Sequence, residues 1–416
     1  MKLSDEVLDV IVVGGGASGM FAAATAAARG KKVLVLDKNR QLGVKLSMTG
    51  GGRCNITNAE YDKHAFLKNY GKDAKFLFSP YSQFNVESTF AYFEKRGLPL
   101  VVQARKRAFP NTEKASDVVA VLKKELDKHH AFVKTSCVVK RLVAEKRKIV
   151  SVGTNQGTFR ARSFILATGG ASHPETGSTG DGFTFLSDLG HTVKDPTPTI
   201  VPLAVSDAWI KMLAGVSLSF MKITFFLDGK KQFSKTGKVL CTHFGLSGPL
   251  ILNSAIQVST LLEGGGTVTA AIDAYPDTDL GTLENKVISI FNYSKNKTLR
   301  TVLKDICPEG TAKGIQTLLE HIDLDTKVHS VSREDRKKIV RLLKALPVTI
   351  TSLMGYDRAV VADGGIPLTE VDTRSMRSTL FSNLYVTGDL LHINRPSGGY
   401  SLQLCWTTGY VAGMAV

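Results

Sequence analysis

The sequence predicts an α/β chain whose two ends build one nucleotide-binding domain around an insertion of different character. Three observations carry this expectation. An apolar run passes straight into Gly14-x-Gly16-x-x-Gly19 and an Ala-rich segment; alternating, strand-like spacing takes over after about residue 196; and a 3.6-residue period follows from about 282 before the chain returns to strand and glycine turns. With 416 residues, 43% hydrophobic and 22% charged, the chain can bury a core in two or three domains, which excludes global disorder.

In chain order, Val7 to Val13 reads as a strand, the segment to Arg29 as a helix, and Lys32 to Leu36 as a second strand, which together make one βαβ unit. Val118, Val121, Leu122 and Leu126 place a one-faced helix over about 116–128. Short strands at Val138 to Val143, Ile149 to Gly153 and Thr158 to Ala161 form a meander that feeds back into the sheet through Phe164 to Ala167. Val216, Leu218 and Phe220 alternate with Ser217 and Ser219, Asp228-Gly229 reads as a hairpin turn, and Thr267 to Ile272 as another strand. Helical spacing then runs from about Thr282 to Ala345, where Ser332 with Asp335 makes a cap for the last helix. Asn383 to Asp389 reads as a short strand ending in a Gly-Asp turn, and Gly399 to Gly413 as a helix entered from a glycine pair. The expected domains are 1–195 with 351–416 for nucleotide binding, 196–281 with 346–350 as an inserted β subdomain, and 282–345 as a helical subdomain.

Composition narrows the partners. Lys+Arg exceed Asp+Glu by 53 − 37 = +16, and residues 101–150 alone hold 13 basic against 5 acidic side chains, a balance that suits anionic partners without choosing among them. The cysteines Cys54, Cys137, Cys241, Cys307 and Cys405 make no CxxC pair, which argues against a zinc site and for a reducing, cytoplasmic setting. The uncharged stretches Val10 to Ala28 and Val239 to Leu262 are interrupted by glycines or by Pro249, Asn253 and Gln257, so no membrane insertion is expected.

Gly14, Gly16 and Gly19 stand between a strand and a helix, where they permit a tight turn, close approach of a pyrophosphate and close helix–strand packing. Ala17 and Ser18 open the helix whose free N–H groups face the phosphates, and Asp37, with Lys38 after it, closes the second strand 18 residues beyond Gly19, where a carboxylate binds a ribose 2′-OH. That fingerprint is shared by FAD and NAD sites. A second glycine-rich loop, Gly43 to Asn58, contains Gly50-Gly51-Gly52 and one Arg, and such a loop lets backbone amides reach a phosphate or a flavin ring.

Four segments together are specific. Thr49 to Asn58, Ala167 to Gly182, Thr242 to Pro249, and Gly388-Asp389 through Gly398 to Gln403 resemble the YhiN/BaiN family of NAD(P)/FAD-dependent oxidoreductases, among which are aminoacetone oxidases and bile-acid reductases. The resemblance spans essentially the whole chain. It implies a Rossmann-like FAD-binding domain of the two-dinucleotide-binding-domain flavoprotein type, with an inserted β-barrel subdomain and a helical subdomain. It further implies that Gly14, Gly16, Gly19 and Asp37 hold the ADP half of FAD, that Lys45, Gly52, Arg53, Cys54 and Asn55 lie along the pyrophosphate and flavin, and that Thr168 and Gly169 lie near the adenosine side. Gly388 and Asp389 would serve the ribityl chain, and Gly399, Tyr400, Ser401 and Leu402 would bring a helix N-terminus to the isoalloxazine. The chain departs from the family at Asp389 where Glu is usual, His392 where Asp is usual and Ser401 where Asn is usual. The first keeps the carboxylate; the other two bear on substrate identity.

The expected function is an FAD-dependent oxidoreductase acting on a small organic substrate, either oxidising an amine or reducing an unsaturated carbonyl compound. No second glycine fingerprint follows a strand, so NADH or NADPH would act as a transient reductant over the flavin, or electrons would come from the substrate. His243, His392 and Tyr400 are the acid–base candidates, with His173 behind them, each set against an ordinary packing or surface role. The substrate is expected where Thr242-His243-Phe244 and Asn394 to Tyr400 meet. Arg105, Lys106 and Arg107 before Phe109-Pro110 leave a second, less favoured reading, an RNA-binding flavoprotein whose FAD is structural or serves tRNA modification.

Overall fold

A computed structural model describes residues 6–416, and the chain forms two compact units, one of residues 1–198 with 360–416 and the other of residues 199–359. The first five residues of the expected nucleotide-binding domain lie outside the described residues.

The first unit is built on a parallel sheet. Strand β1 (Val7–Val13) is flanked on one side by β2 (Val33–Leu36) and then Phe132–Lys134, and on the other by Gly157–Leu166 and then Leu384–Val386, all parallel. Both faces of such strands are covered, which is why β2 is buried at every residue. Helix α1 (Ala17–Ala28) packs on this sheet with an almost wholly buried, alanine-rich surface, and the C-terminal helix Tyr400–Ala415 packs against it through Gly409 and Gly413. A Cβ on Gly409 would lie 2.6 Å from Ser18 O, so the small residue sets the helix–helix distance. The meander is present as Val139–Glu145, Lys148–Thr154 and Gly157–Leu166, antiparallel, with the last strand long enough to join both sheets' pairing patterns. Three helices at Lys63–Lys68, Ala74–Gln83 and Val86–Glu94 were not expected; they bury Phe66, Leu77, Tyr81 and Phe93 in the same core.

The second unit is a closed six-stranded antiparallel barrel in the order Leu203–Val205, Gly245–Ser247, Lys230–Cys241, Ser217–Leu227, Val268–Asp273 and Leu346–Leu353. Its helices Leu280–Tyr293, Leu299–Ile306 and Arg333–Lys344 contribute Val287, Leu303 and Ile339 to the apolar cluster that fills the barrel with Ile223, Phe225 and Val239. Ser332 caps the last of these helices as its spacing predicts, its Oγ accepting from Asp335 N at 3.0 Å. The alternation through Phe220 does not hold: the strand pairing shifts between Leu218 and Met221, Phe220 takes a φ of +58°, and its ring is 73% exposed. A bulge there turns the side chain out of the barrel. Among the described residues no helix is long and apolar enough to cross a membrane, and no cluster of His, Cys, Asp and Glu is arranged to hold a metal ion.

Candidate functional site

One elongated cavity in the first unit runs from the end of β2, past the β1–α1 turn, to the start of the C-terminal helix. Gly14, Gly16, Ala17, Ser18, Asp37, Lys38, Lys45, Thr168, Gly169, Asp389, Ser401 and Leu402, all expected from the sequence, line it together.

The turn is shaped by crowding on one side and space on the other. A Cβ on Gly19 would lie 1.8 Å from Gly14 O, so helix and strand can meet only there without a side chain. At Gly16, by contrast, a Cβ would meet nothing within 4 Å, although the residue faces the cavity. Helix α1 starts at this point with no side-chain cap and no acidic residue in its first turn, so its free N–H groups are left for an anion.

Asp37 is buried at the end of β2, where its Oδ2 accepts from Gly15 N at 2.7 Å and its Oδ1 from Asn39 N at 2.8 Å. Burial raises its carboxyl above the ordinary aspartate value, against the pull of these two N–H donors. Lys38 beside it pairs with Asp181 at 2.7 Å. Cys137, Val139, Ser178 and Phe185 complete this end and were not expected as site residues, although the Ala167 to Gly182 run that contains Ser178 was.

At the other end Asp389 is held by two cations. Its carboxylate pairs with the buried Arg395 guanidinium and lies 3.8 Å from Lys45 Nζ, which also donates to Ser172 Oγ at 2.6 Å. Burial pushes the Asp389 carboxyl up, but Arg395 and Lys45 outweigh it and hold the group below its ordinary value. Burial also lowers Lys45, opposed by Asp389. Arg395 was not expected from the sequence; its guanidinium also donates to Ser401 Oγ at 3.2 Å and to Ile393 O at 2.6 Å.

Other expected residues are placed elsewhere. Gly52, Arg53, Cys54, Asn55, Gly388, Gly399 and Tyr400 do not line this cavity. Cys54 is fully buried and its thiol is pushed up to about 12 by burial, so it packs as a neutral group. Arg53 lies with its guanidinium 4.6 Å from the Phe109 ring centroid. With its amide turned to satisfy its neighbours, Asn55 donates to Thr57 O at 3.0 Å and accepts from Gly399 N at 3.0 Å. Gly399 has a φ of +104°, and a Cβ there would lie 2.3 Å from the Thr57 carbonyl carbon, so this glycine is required by backbone approach. The Tyr400 ring packs 5.0 Å from that of Phe66, centroid to centroid, away from the cavity that Ser401 and Leu402 line. His392 Nε2 is 3.2 Å from Lys194 Nζ and 3.5 Å from Asp363 Oδ2. His173 Nδ1 is 2.8 Å from Glu175 Oε1. His243, in the second unit, is exposed on the turn after Lys230–Cys241 and does not pack inside the barrel.

The donor set fits FAD. An uncapped helix N-terminus beside an open Gly16 suits a pyrophosphate, the Asp37 carboxylate suits a ribose, and Lys45 with Asp389 supplies a cation and an acceptor farther along.

Residues 8–415 match the HI0933-like protein Rossmann domain. The chain is 29% identical to the 3-dehydro-bile acid delta(4,6)-reductase of Clostridium scindens over 97% of its own length and 98% of that protein. It is 28% identical to the ribosomal RNA dihydrouridine synthase of Haemophilus influenzae, over 98% of each chain. Among solved structures, the 3-ketosteroid-delta4-(5alpha)-dehydrogenase of Rhodococcus jostii superposes with a TM-score of 0.55 at 17% identity, covering 99% of this chain and 97% of that one, a likeness of fold.

Proposed function

From the premise that the chain belongs to the HI0933-like Rossmann-domain family of FAD-dependent oxidoreductases, we propose that it reduces a carbon–carbon double bond conjugated to a carbonyl. The observation that carries this reading is the chemistry shared by the two relatives' names. A delta(4,6)-reductase acting on a 3-dehydro bile acid and a dihydrouridine synthase both saturate a ring double bond in conjugation with a carbonyl. Oxidation of an amine has no such support.

When bound, FAD supplies the hydride. Gly16 would leave room for the pyrophosphate and α1 would offer it N–H donors; Asp37 would accept from the adenosine ribose, and Asp389, its carboxyl held down by Arg395 and Lys45, from the ribityl hydroxyls. Ser401 and Leu402 bring the start of the C-terminal helix to the cavity, where its N–H groups would favour negative charge on a bound flavin. His392 is our candidate for the proton that completes saturation, and its replacement by Gln should slow flavin reoxidation while FAD stays bound. NADH or NADPH serves as a transient reductant.

Anaerobic mixing tests the proposal. The FAD-loaded protein is first reduced with NADH or NADPH, or with dithionite where neither bleaches it, and then mixed with a steroid enone or with uridine-containing RNA. Reoxidation by the enone supports a small-molecule reductase, and reoxidation by RNA alone moves the same chemistry to a nucleic-acid substrate. Bleaching of the oxidised protein by an amine, with no reoxidation by either acceptor, overturns it.

A further inference from the structure

The basic run Arg105-Lys106-Arg107 has no part in the cavity, yet the fold builds it with care. It connects Leu100–Gln103 to Arg107–Pro110, two strands of a small antiparallel sheet completed by Thr57–Asn58. Two successive non-glycine residues in this connection are left-handed, Arg105 at φ +62° and Lys106 at φ +56°, a conformation that L side chains rarely adopt. It is held by Asn58, whose amide donates to Arg105 O at 3.1 Å and to Gly398 O at 3.2 Å. The strained turn is thereby tied to the glycine pair that opens the C-terminal helix.

Two guanidinium groups share one aromatic ring, and Arg105 lies close enough to Arg107 for its charge to act on it. Arg53 lies 4.6 Å and Arg107 5.8 Å from the centroid of the same buried Phe109 ring, and Arg107 is held below the ordinary arginine value by burial and then by the nearby charges of Arg53 and Arg105. Lys106 is neutralised by Glu60 at 2.5 Å, whereas the arginines have only Glu113, 3.6 Å from Arg53. Among the described residues no carboxylate pairs with Arg105 or Arg107. Arginines gathered at the cost of mutual repulsion, on a strained and hydrogen-bonded turn, are matched by an anion that accepts several N–H donors at once, and phosphate is that anion.

We propose that Arg53, Arg105 and Arg107 form a phosphate-binding site for a nucleotide, beside the entry to the C-terminal helix. The phosphate belongs either to a pyridine nucleotide or to a single-stranded RNA backbone, and the site's chemistry is the same for both. It stands apart from the reaction proposed above, because binding is read without turnover.

The test uses the FAD-loaded protein with NADPH, NADH and a single-stranded RNA of about 12 nucleotides as probes. Arg105→Asn tolerates the left-handed backbone and Arg107→Gln keeps the side-chain length, while Arg53 is left on Phe109. The double variant should bind at least one probe about tenfold or more weakly, with a shallower salt dependence. Loss confined to NADPH identifies its 2′-phosphate as the ligand; loss confined to RNA identifies the polymer backbone. Arg107→Lys, which keeps the charge, should recover part of the binding lost in Arg107→Gln. Undiminished binding of all three probes by the double variant, no binding by the wild type, or equal loss in Arg107→Lys and Arg107→Gln overturns the proposal.

Discussion

Each end of the cavity holds an aspartate that burial pushes up, yet their partners leave the two shifted in opposite net directions. Asp37 is surrounded by backbone N–H donors and one neighbouring lysine, too little to repay desolvation, so its carboxyl is raised. Asp389 faces the same penalty with Arg395 and Lys45 against it, and its carboxyl is lowered. The fingerprint residues of the first end lie in one short stretch around β1, α1 and β2, and the carboxylate of Asp37 is held by backbone N–H groups from that stretch. The second brings together Lys45, Asp389 and Arg395 from the two ends of the chain, so its electrostatics exist only when the unit is folded. Backbone dipoles position a carboxylate; here it takes added cations to turn its net shift downward.

The contrast can be broken at four points. Gly16→Val should abolish FAD retention while leaving the fold intact, because the added side chain meets only the space for the pyrophosphate; the check is loss of the flavin band near ~450 nm with an unchanged circular dichroism spectrum. Gly19→Ala should act on the fold itself, destabilising it by about 3 kcal/mol or more, since its Cβ would lie 1.8 Å from Gly14 O; chemical denaturation measures this. At the other end Arg395→Met strips Asp389 of its closer cation and should cost about 2 to 3 kcal/mol, Lys45 remaining to limit the loss.

The smallest effect is the most discriminating. The folded value of Asp389 lies below its unfolded value, so the stability it contributes is complete above the ordinary aspartate value of about 4 and is lost as pH falls through the depressed one. For Asp37 the folded value is the higher; the folded state then binds more protons between the two values, and stability rises as pH falls through that window. Melting curves against pH should show Asp389→Asn flattening the acid loss and Asp37→Asn removing a gain on acidification. Equal slopes in the two variants would mean that the ends do not differ.

Much of the first end was legible in the chain. Gly14, Gly16, Gly19 and Asp37 follow one another at spacings that a strand, a turn and a helix dictate, and Ser332 with Asp335 marks a helix start in the same local way. The three helices between Lys63 and Glu94 escaped because segments of 6, 10 and 9 residues are too short for a 3.6-residue period to repeat clearly, and Pro80 stands inside one of them. Phe220 misled because alternation carries no signal for a bulge. Arg395 escaped because an arginine in a loop reads as solvated until a carboxylate is found beside it.

By itself the sequence determined what depends on neighbours along the chain: the βαβ fingerprint, the buried and surface faces of the longer helices, the hairpin at Asp228-Gly229, and the candidate residues for a dinucleotide. Only the tertiary structure decided which of those residues share one cavity. Ser401 and Leu402 line it while Tyr400, in the same helical turn, packs on Phe66, and Gly399 is required by its approach to Thr57. The physical reason is that backbone conformation is set largely by local sterics and hydrogen bonding, whereas burial, ion pairing and the direction of a side chain into a cavity depend on segments hundreds of residues apart meeting in space.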